Sequence, residues 1–361
     1  MGQTLSEPVT HKHTESDGDA RLKYGASSMQ GWRVTMEDAH TTLLSHTPKT
    51  ALFAVFDGHG GPNVAMYSGS KLAPRLSKDP EFEKGDYARA LKNAFLGLDI
   101  DLRADPAFAD ETSGCTAVAA VITKDWKIIA ANAGDSRIVL SANGTAIPLS
   151  YDHKPTNESE NARIVAAGGF VEYSRVNGNL ALSRAIGDFE FKKNSDLPAE
   201  EQVVTADPDI LERTLLPDDE FVILACDGIW DCMSNQEVID FCRVKIAESR
   251  GDLGLVAEMI MTYCLAADSD LGSVGCDNMT VVIVAIMREG QSYETWVEQV
   301  TDRVAKAGLK VDESMSVAGR AGPSHPSILS YARKVTTTTV AGEDGEEVVV
   351  SEEEEEIAGN Y

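Results

Sequence analysis

Apolar residues recur along 22–288 with two different spacings, and those spacings predict most of the elements. Short β-branched-rich runs at 117–122, 127–131 and 137–141 predict strands, and Asn143-Gly144 then predicts a tight hairpin turn. Asn177-Gly178 predicts a second hairpin, between 170–171 and 180–181. The runs 51–56, 221–226 and 279–286 are almost wholly apolar, as expected of strands covered on both faces. Helical spacing appears at 63–76, 87–103, 158–167, 235–247 and 253–267. Hairpins and helices in separate runs predict an α+β chain with antiparallel sheets flanked by helices, not a doubly wound parallel sheet.

The same texture divides the chain. Residues 1–21 are polar and aperiodic and read as a flexible leader, followed by a folded domain over 22–288. A helical extension is expected over 289–310, where Trp296, Val300, Val304 and Ala307 share helical spacing. Residues 311–361, with an unbroken glutamate run at 352–356, read as a disordered acidic tail.

Charge narrows the class of partner. Fifty-eight acidic residues against 32 basic ones give a formal net charge of -26, which disfavours nucleic acid and anionic membrane and draws divalent cations. The six cysteines, at 115, 226, 232, 242, 264 and 276, form no C-x-x-C pair, and several lie in apolar runs. That usage suits a reducing compartment rather than a disulfide scaffold or zinc ribbon. No membrane span or cleavable signal is visible, so a soluble intracellular protein is expected. Met1-Gly2-Gln3-Thr4-Leu5-Ser6 fits the N-myristoylation pattern, which makes Gly2 a candidate modification site. One acyl chain without a polybasic neighbour would give only weak membrane association.

One pattern repeats: an apolar strand meeting an aspartate. The run 51–56 ends at Asp57-Gly58-His59-Gly60-Gly61, and 221–226 ends at Asp227-Gly228-Ile229-Trp230-Asp231. The run 128–133 leads into Gly134-Asp135-Ser136-Arg137, and Asp277-Asn278 opens 279–286. A single Asp-Gly is ordinarily a turn. Recurrence after apolar strands, with Glu37-Asp38 upstream, instead predicts aspartates converging on one rim, a conflict that an oxygen-seeking cation such as Mg²⁺ or Mn²⁺ resolves. The glycines serve either close approach of the backbone or a positive φ. Rival chemistries fail on the residues. No cysteine has an arginine six positions on, Gly-Lys is absent, and so is H-E-x-x-H. Asp99-Ile100-Asp101 sits within a helical pattern, and Arg103 follows where an aspartyl-phosphate site would carry Thr or Val.

From about Leu22 to Ile286 the chain resembles the type 2C metal-dependent protein serine/threonine phosphatases. The resemblance is carried by Ser27-Ser28-Met29-Gln30-Gly31-Trp32-Arg33, Met36-Glu37-Asp38-Ala39-His40 and Val55-Phe56-Asp57-Gly58-His59-Gly60-Gly61. Ser113-Gly114-Cys115-Thr116-Ala117, Gly134-Asp135-Ser136-Arg137 and Asp152-His153-Lys154-Pro155 follow in order. Leu182-Ser183-Arg184-Ala185-Ile186-Gly187-Asp188, Ala225-Cys226-Asp227-Gly228-Ile229-Trp230-Asp231 and Asp277-Asn278-Met279-Thr280-Val281 complete the set. The Met-Gly start and acidic tail are similar to fungal members.

The resemblance implies a four-layer α-β-β-α fold, a β-sandwich of two antiparallel sheets with metals in a cleft at one end. It implies that Asp57 bridges two Mg²⁺ or Mn²⁺ ions, that the Gly58 carbonyl binds one, and that Asp227 and Asp277 complete the other's shell. Glu37 and Asp38 are expected to act largely through bound waters, and Asp135 and Asp231, with Asp227, to hold a weaker third ion. Attack by a metal-bridging hydroxide on phosphoserine or phosphothreonine follows, with Arg33 gripping phosphate and His59 as general acid. His153 and Arg184 are expected to order loops, and a flap over 177–201 to shape substrate choice, with Asp188 and Lys192-Lys193 as candidates there. Phosphoproteins, kinases or their targets among them, are the expected partners of a monomer in cytoplasm and nucleus. A role opposing stress kinases is an analogy. Two rivals remain: a catalytically inactive phosphatase-like binding module, expected to lack metal aspartates or the arginine, and a small-molecule phosphoesterase.

Overall fold

The computed structural model describes residues 4–47, 50–269, 274–320, 335–341 and 347–353. Two antiparallel sheets pack face to face within residues 1–321. The first contains β1 (Thr4–Gly18), β2 (Leu22–Arg33), β7 (Arg137–Ala142), β8 (Thr145–Pro148), β10 (Asp219–Ala225) and β11 (Met279–Ile286), in the order β1-β2-β11-β10-β7-β8. The second contains β3 (Ala39–Thr47), β4 (Thr50–Phe56), β5 (Ala117–Thr123), β6 (Lys127–Ala133) and β9 (Asp209–Thr214), in the order β9-β6-β5-β4-β3.

The near-continuous apolar runs follow from burial on both faces. On β4, Ala51, Phe53 and Val55 pack between the sheets, whereas Leu52, Ala54 and Phe56 pack under helices. Those helices are α1 (Asn63–Lys78) and α2 (Tyr87–Ala104), which bring Leu72, Leu76, Leu91, Phe95 and Leu98. The first sheet divides likewise. Val222, Leu224, Val282 and Val284 face the second sheet; Phe221, Ile223, Val281 and Ile283 face outward. Over that outer face lie α4 (Asn235–Glu248), α5 (Leu253–Cys264) and α6 (Tyr293–Ala307), while α3 (Glu158–Ala166) lies apart from both layers in a smaller cluster with Val176 and Val204. This is the α-β-β-α sandwich anticipated above. Helix α6 belongs to it, with Trp296, Val300 and Val304 buried and Ala307 exposed.

Four expectations are corrected. Residues 4–18 are not a loose leader but the edge strand β1, paired along β2 from Thr4↔Arg33 to Gly18↔Lys23. Asn177-Gly178 does turn the chain at positive φ, but the hairpin strands are Val171–Glu172 and Arg175–Val176, turning at Tyr173-Ser174. Helix α5 stops at Cys264 rather than 267. In the separate unit 322–361, Val335–Ala341 and Glu347–Glu353 pair antiparallel, where β-branched Thr and Val favour strands over the expected disorder. The remainder of that tail, and residues 1–3 with Gly2, lie outside the described residues.

Register decides where the aspartates fall. Ala225 pairs with both Arg137 and Val281, and Met279 pairs with Met29. Ala39 pairs with Phe56, and Ala117 with Ala133. The C-terminal ends of β2, β4, β6 and β10 and the N-terminal ends of β3, β5, β7 and β11 therefore form one rim. The short crossings 34–38 and 134–136 join the two sheets at that rim.

Candidate active site

Each of the predicted carboxylates lies on or beside this rim. Asp57 follows β4, Asp135 lies between β6 and β7, Asp227 follows β10, Asp277 precedes β11, and Glu37-Asp38 precede β3. Carboxylate oxygens of Asp57, Asp135 and Asp227 lie within 4.8 Å of one another, and Asp38 and Asp57 meet with the Cys226 sulfur within the same distance. Asp231 sits one helical turn beyond Asp227, its N–H bonded to the Asp227 carbonyl at 2.8 Å, and is exposed.

Such crowding is electrostatically costly. Burial, then repulsion from Asp227, Asp38, Asp277 and Asp135, drives Asp57 far above the ordinary carboxylate range. Burial, followed by Asp135, Asp277 and Asp231, does the same to Asp227. Asp38 is raised to about 7, chiefly by burial, against a 2.7 Å hydrogen bond from the Thr280 hydroxyl. Among the described residues its other oxygen, Oδ1, is buried and has no hydrogen-bond partner. A carboxylate oxygen left bare beside like charges fits a divalent cation. Cys226 does not, because burial holds its thiol protonated and its sulfur already accepts the Thr280 N–H at 3.1 Å.

The glycines are explained by close approach, not by a positive φ, since neither Gly58 nor Gly228 has one. A Cβ on Gly58 would stand 2.3 Å from the Glu37 carbonyl oxygen, and one on Gly228 would stand 2.1 Å from that of Asn278. Asn278 ties this packing together. Its amide donates to Gln30 O at 2.7 Å and Thr35 O at 3.0 Å, and its Oδ1 accepts the Glu37 N–H at 2.9 Å. Glu37 in turn accepts the Gly61 N–H at 3.1 Å and the Thr35 hydroxyl at 2.6 Å.

Arg33, at the end of β2, donates to Asp277 Oδ2 while its side chain stays 40% exposed. His59 Nε2 lies 2.6 Å from Asp188 Oδ2. Burial alone would favour the neutral ring, but Asp188, aided by Asp135 and Glu37, raises the imidazole above its ordinary value. Asp188 itself is held in the left-handed region at φ 50°, with its N–H on Ser113 O at 3.2 Å. A hollow of about 810 Å³ lies elsewhere, against Lys23, Tyr24, Arg250, Tyr293, Glu294 and Glu298.

The protein phosphatase 2C profile matches residues 22–270. The chain belongs to the protein phosphatase 2C family. It is 53% identical over 310 residues to protein phosphatase 2C homolog 2 of Schizosaccharomyces pombe, covering 84% of this chain and 83% of that one. It is 54% identical over 297 residues to probable protein phosphatase 2C T23F11.1 of Caenorhabditis elegans, covering 82% and 83%. Among solved structures, a phosphatase from Toxoplasma gondii aligns with a TM-score of 0.68 at 30% identity, over 78% of this chain and 97% of that one. This protein phosphatase 2C is thus a protein serine/threonine phosphatase of a metal-dependent family.

Within this phosphatase several motif residues take structural places. His153 accepts the Gly134 N–H on Nδ1 at 3.2 Å and meets Asp209 at 3.1 Å through Nε2. Arg184 binds Glu160 at 2.7 Å and Asp209 at 2.8 Å. Both order loops, as expected. Lys192 is buried against Asp99 and the Ala185 carbonyl, which removes it as a substrate contact and gives Asp99 a structural partner. Asn278 and Thr280 stand in a matched motif and Asp188 in the flap, but nothing local in the sequence names their partners. Their partners lie 129 to 248 residues away, so only register brings them together.

Proposed function

We propose that this phosphatase hydrolyses phosphoserine and phosphothreonine with two divalent ions, Mg²⁺ or Mn²⁺, held by Asp57, the Gly58 carbonyl, Asp227 and Asp277, while Glu37 and Asp38 orient their waters. When bound, the ions supply Lewis acidity and an activated water nucleophile. Arg33 binds the phosphate, its exposed fork suiting two phosphate oxygens. His59 gives a proton to the departing serine or threonine oxygen, and Asp188 holds the ring in position. Asp135 and Asp231, with Asp227, form a weaker third position. The observation that carries this reading is the meeting of Asp57, Asp135 and Asp227 oxygens within 4.8 Å on a rim that also carries Arg33. An inactive binding module would have no use for that full set.

The decisive assay is phosphate release from a phosphothreonine peptide with and without Mn²⁺. Asp227→Asn is expected to lower turnover at least about a hundredfold, equivalent to roughly 2.7 kcal/mol of transition-state stabilisation. Metal-independent turnover, or an unaffected variant, would refute the mechanism. We further propose a monomer in cytoplasm and nucleus, acting on kinases or their targets in stress signalling by analogy. Gly2 carries forward as the acylation site, and the intact mass of the native amino-terminal peptide tests it.

A further inference from the structure

We propose that Lys154 is a built-in monovalent occupant of the outer cation position at Asp135, Asp227 and Asp231, and so sets how weakly a third divalent ion is held. The inference rests on the metal reading above. Lys154 Nζ donates to Oδ2 of the buried Asp135. That carboxylate also belongs to the group with Asp57 and Asp227 whose oxygens lie within 4.8 Å. The lysine charge acts on Asp227 and Asp231 as well. Among the described residues, Asp57 is paired with no basic side chain, and the partner of Asp277 is Arg33. The ammonium therefore sits on Asp135, the carboxylate that belongs to the outer position alone.

Its placement is fixed by the loop that carries it. Asp152 is gripped by the Arg137 fork at 2.6 and 2.9 Å. The His153 N–H donates to Gly134 O at 2.9 Å, and Asn157 closes the loop on Asp152 O at 2.8 Å. Gly134 and Arg137 flank Asp135, so this loop is fastened to the turn that presents the carboxylate. The lysine side chain is nevertheless 40% exposed, so its flexible stem allows the ammonium to withdraw into water while the loop stays in place. A divalent ion entering the outer position must displace that ammonium or sit beside it against like-charge repulsion. Ion entry at the outer position and lysine withdrawal become one event.

The test titrates Mn²⁺ into the full-length protein and reads free Mn²⁺ by electron paramagnetic resonance, for wild type, Lys154→Met and Lys154→Arg. Two tight ions are expected in all three proteins. The weakest class should tighten on the order of tenfold or more in Lys154→Met and stay weak in Lys154→Arg. Lys154→Gln gives the same comparison if the Met variant does not fold. With the tight pair intact, an unchanged or weaker third class in the charge-free variants overturns the role of Lys154 alone. Absence of the tight pair from the wild-type protein overturns the metal reading itself.

Discussion

At the scale of single residues, the pair His59–Asp188 is the most exacting contact. Asp188 reaches His59 only because it adopts a left-handed backbone that a non-glycine residue enters at a cost, and Gly114 leaves no side chain in the way. A Cβ on Gly114 would stand 2.2 Å from Asp188 Oδ2 and 2.7 Å from His59 Nε2. Such an arrangement suits proton donation to a poor leaving group. His59→Gln should therefore lose turnover on an alkyl phosphate by on the order of a hundredfold, yet change little on p-nitrophenyl phosphate, whose leaving group needs no proton. Asp188→Asn should shift the same way, by at least about tenfold on the alkyl ester. Equal losses on both substrates would assign the pair to structure instead. His59 was legible because it lies inside a metal motif; its partner was not, since no short-range pattern reports a contact made 129 positions away.

At the scale of elements, legibility followed burial. The strands covered on both faces, β4, β10 and β11, announced themselves by unbroken apolar runs. The edge strand β1 did not, because Thr10-His11-Lys12-His13-Thr14-Glu15-Ser16-Asp17 contains almost nothing to bury. It is a strand by virtue of pairing with β2, aided by Thr14, which meets Ser27 at 2.9 Å and Glu258 at 2.5 Å. The second hairpin was misplaced for a related reason. Tyr173-Ser174 takes the turn that Asn-Gly would normally signal. Deleting residues 2–18 would leave the outer edge of β2 unpaired, so the truncated protein should melt several degrees lower. A melting temperature equal to that of the intact chain would show that β1 adds no stability.

At the scale of the whole molecule, the rim concentrates negative charge that the fold alone does not neutralise. Asp57 and Asp227 are driven well above their ordinary values, and Asp38 to about 7. In the metal-free protein these groups hold protons that the unfolded chain releases near pH 4. The folded state then binds more protons than the unfolded one, so stability is greatest below about pH 4 from this source and falls as pH rises through about 7. Chelated protein should accordingly melt at a lower temperature at pH 8 than at pH 5. Saturating Mn²⁺ should flatten that decline, because the cation replaces the protons. A chelated protein that melts higher at pH 8 would contradict the crowding of unneutralised carboxylates.

The pairing of Thr4 with Arg33 bears on anything attached to the amino terminus. Gly2 stands two positions before Thr4, so anything joined to it begins within about 7 Å of chain from the strand position opposite Arg33, the arginine proposed to bind phosphate. If Gly2 carries the acyl group proposed above, that anchor would hold the rim near the bilayer and raise the effective concentration of membrane-borne phosphoproteins before it. A bulky fusion at the same end would crowd the rim.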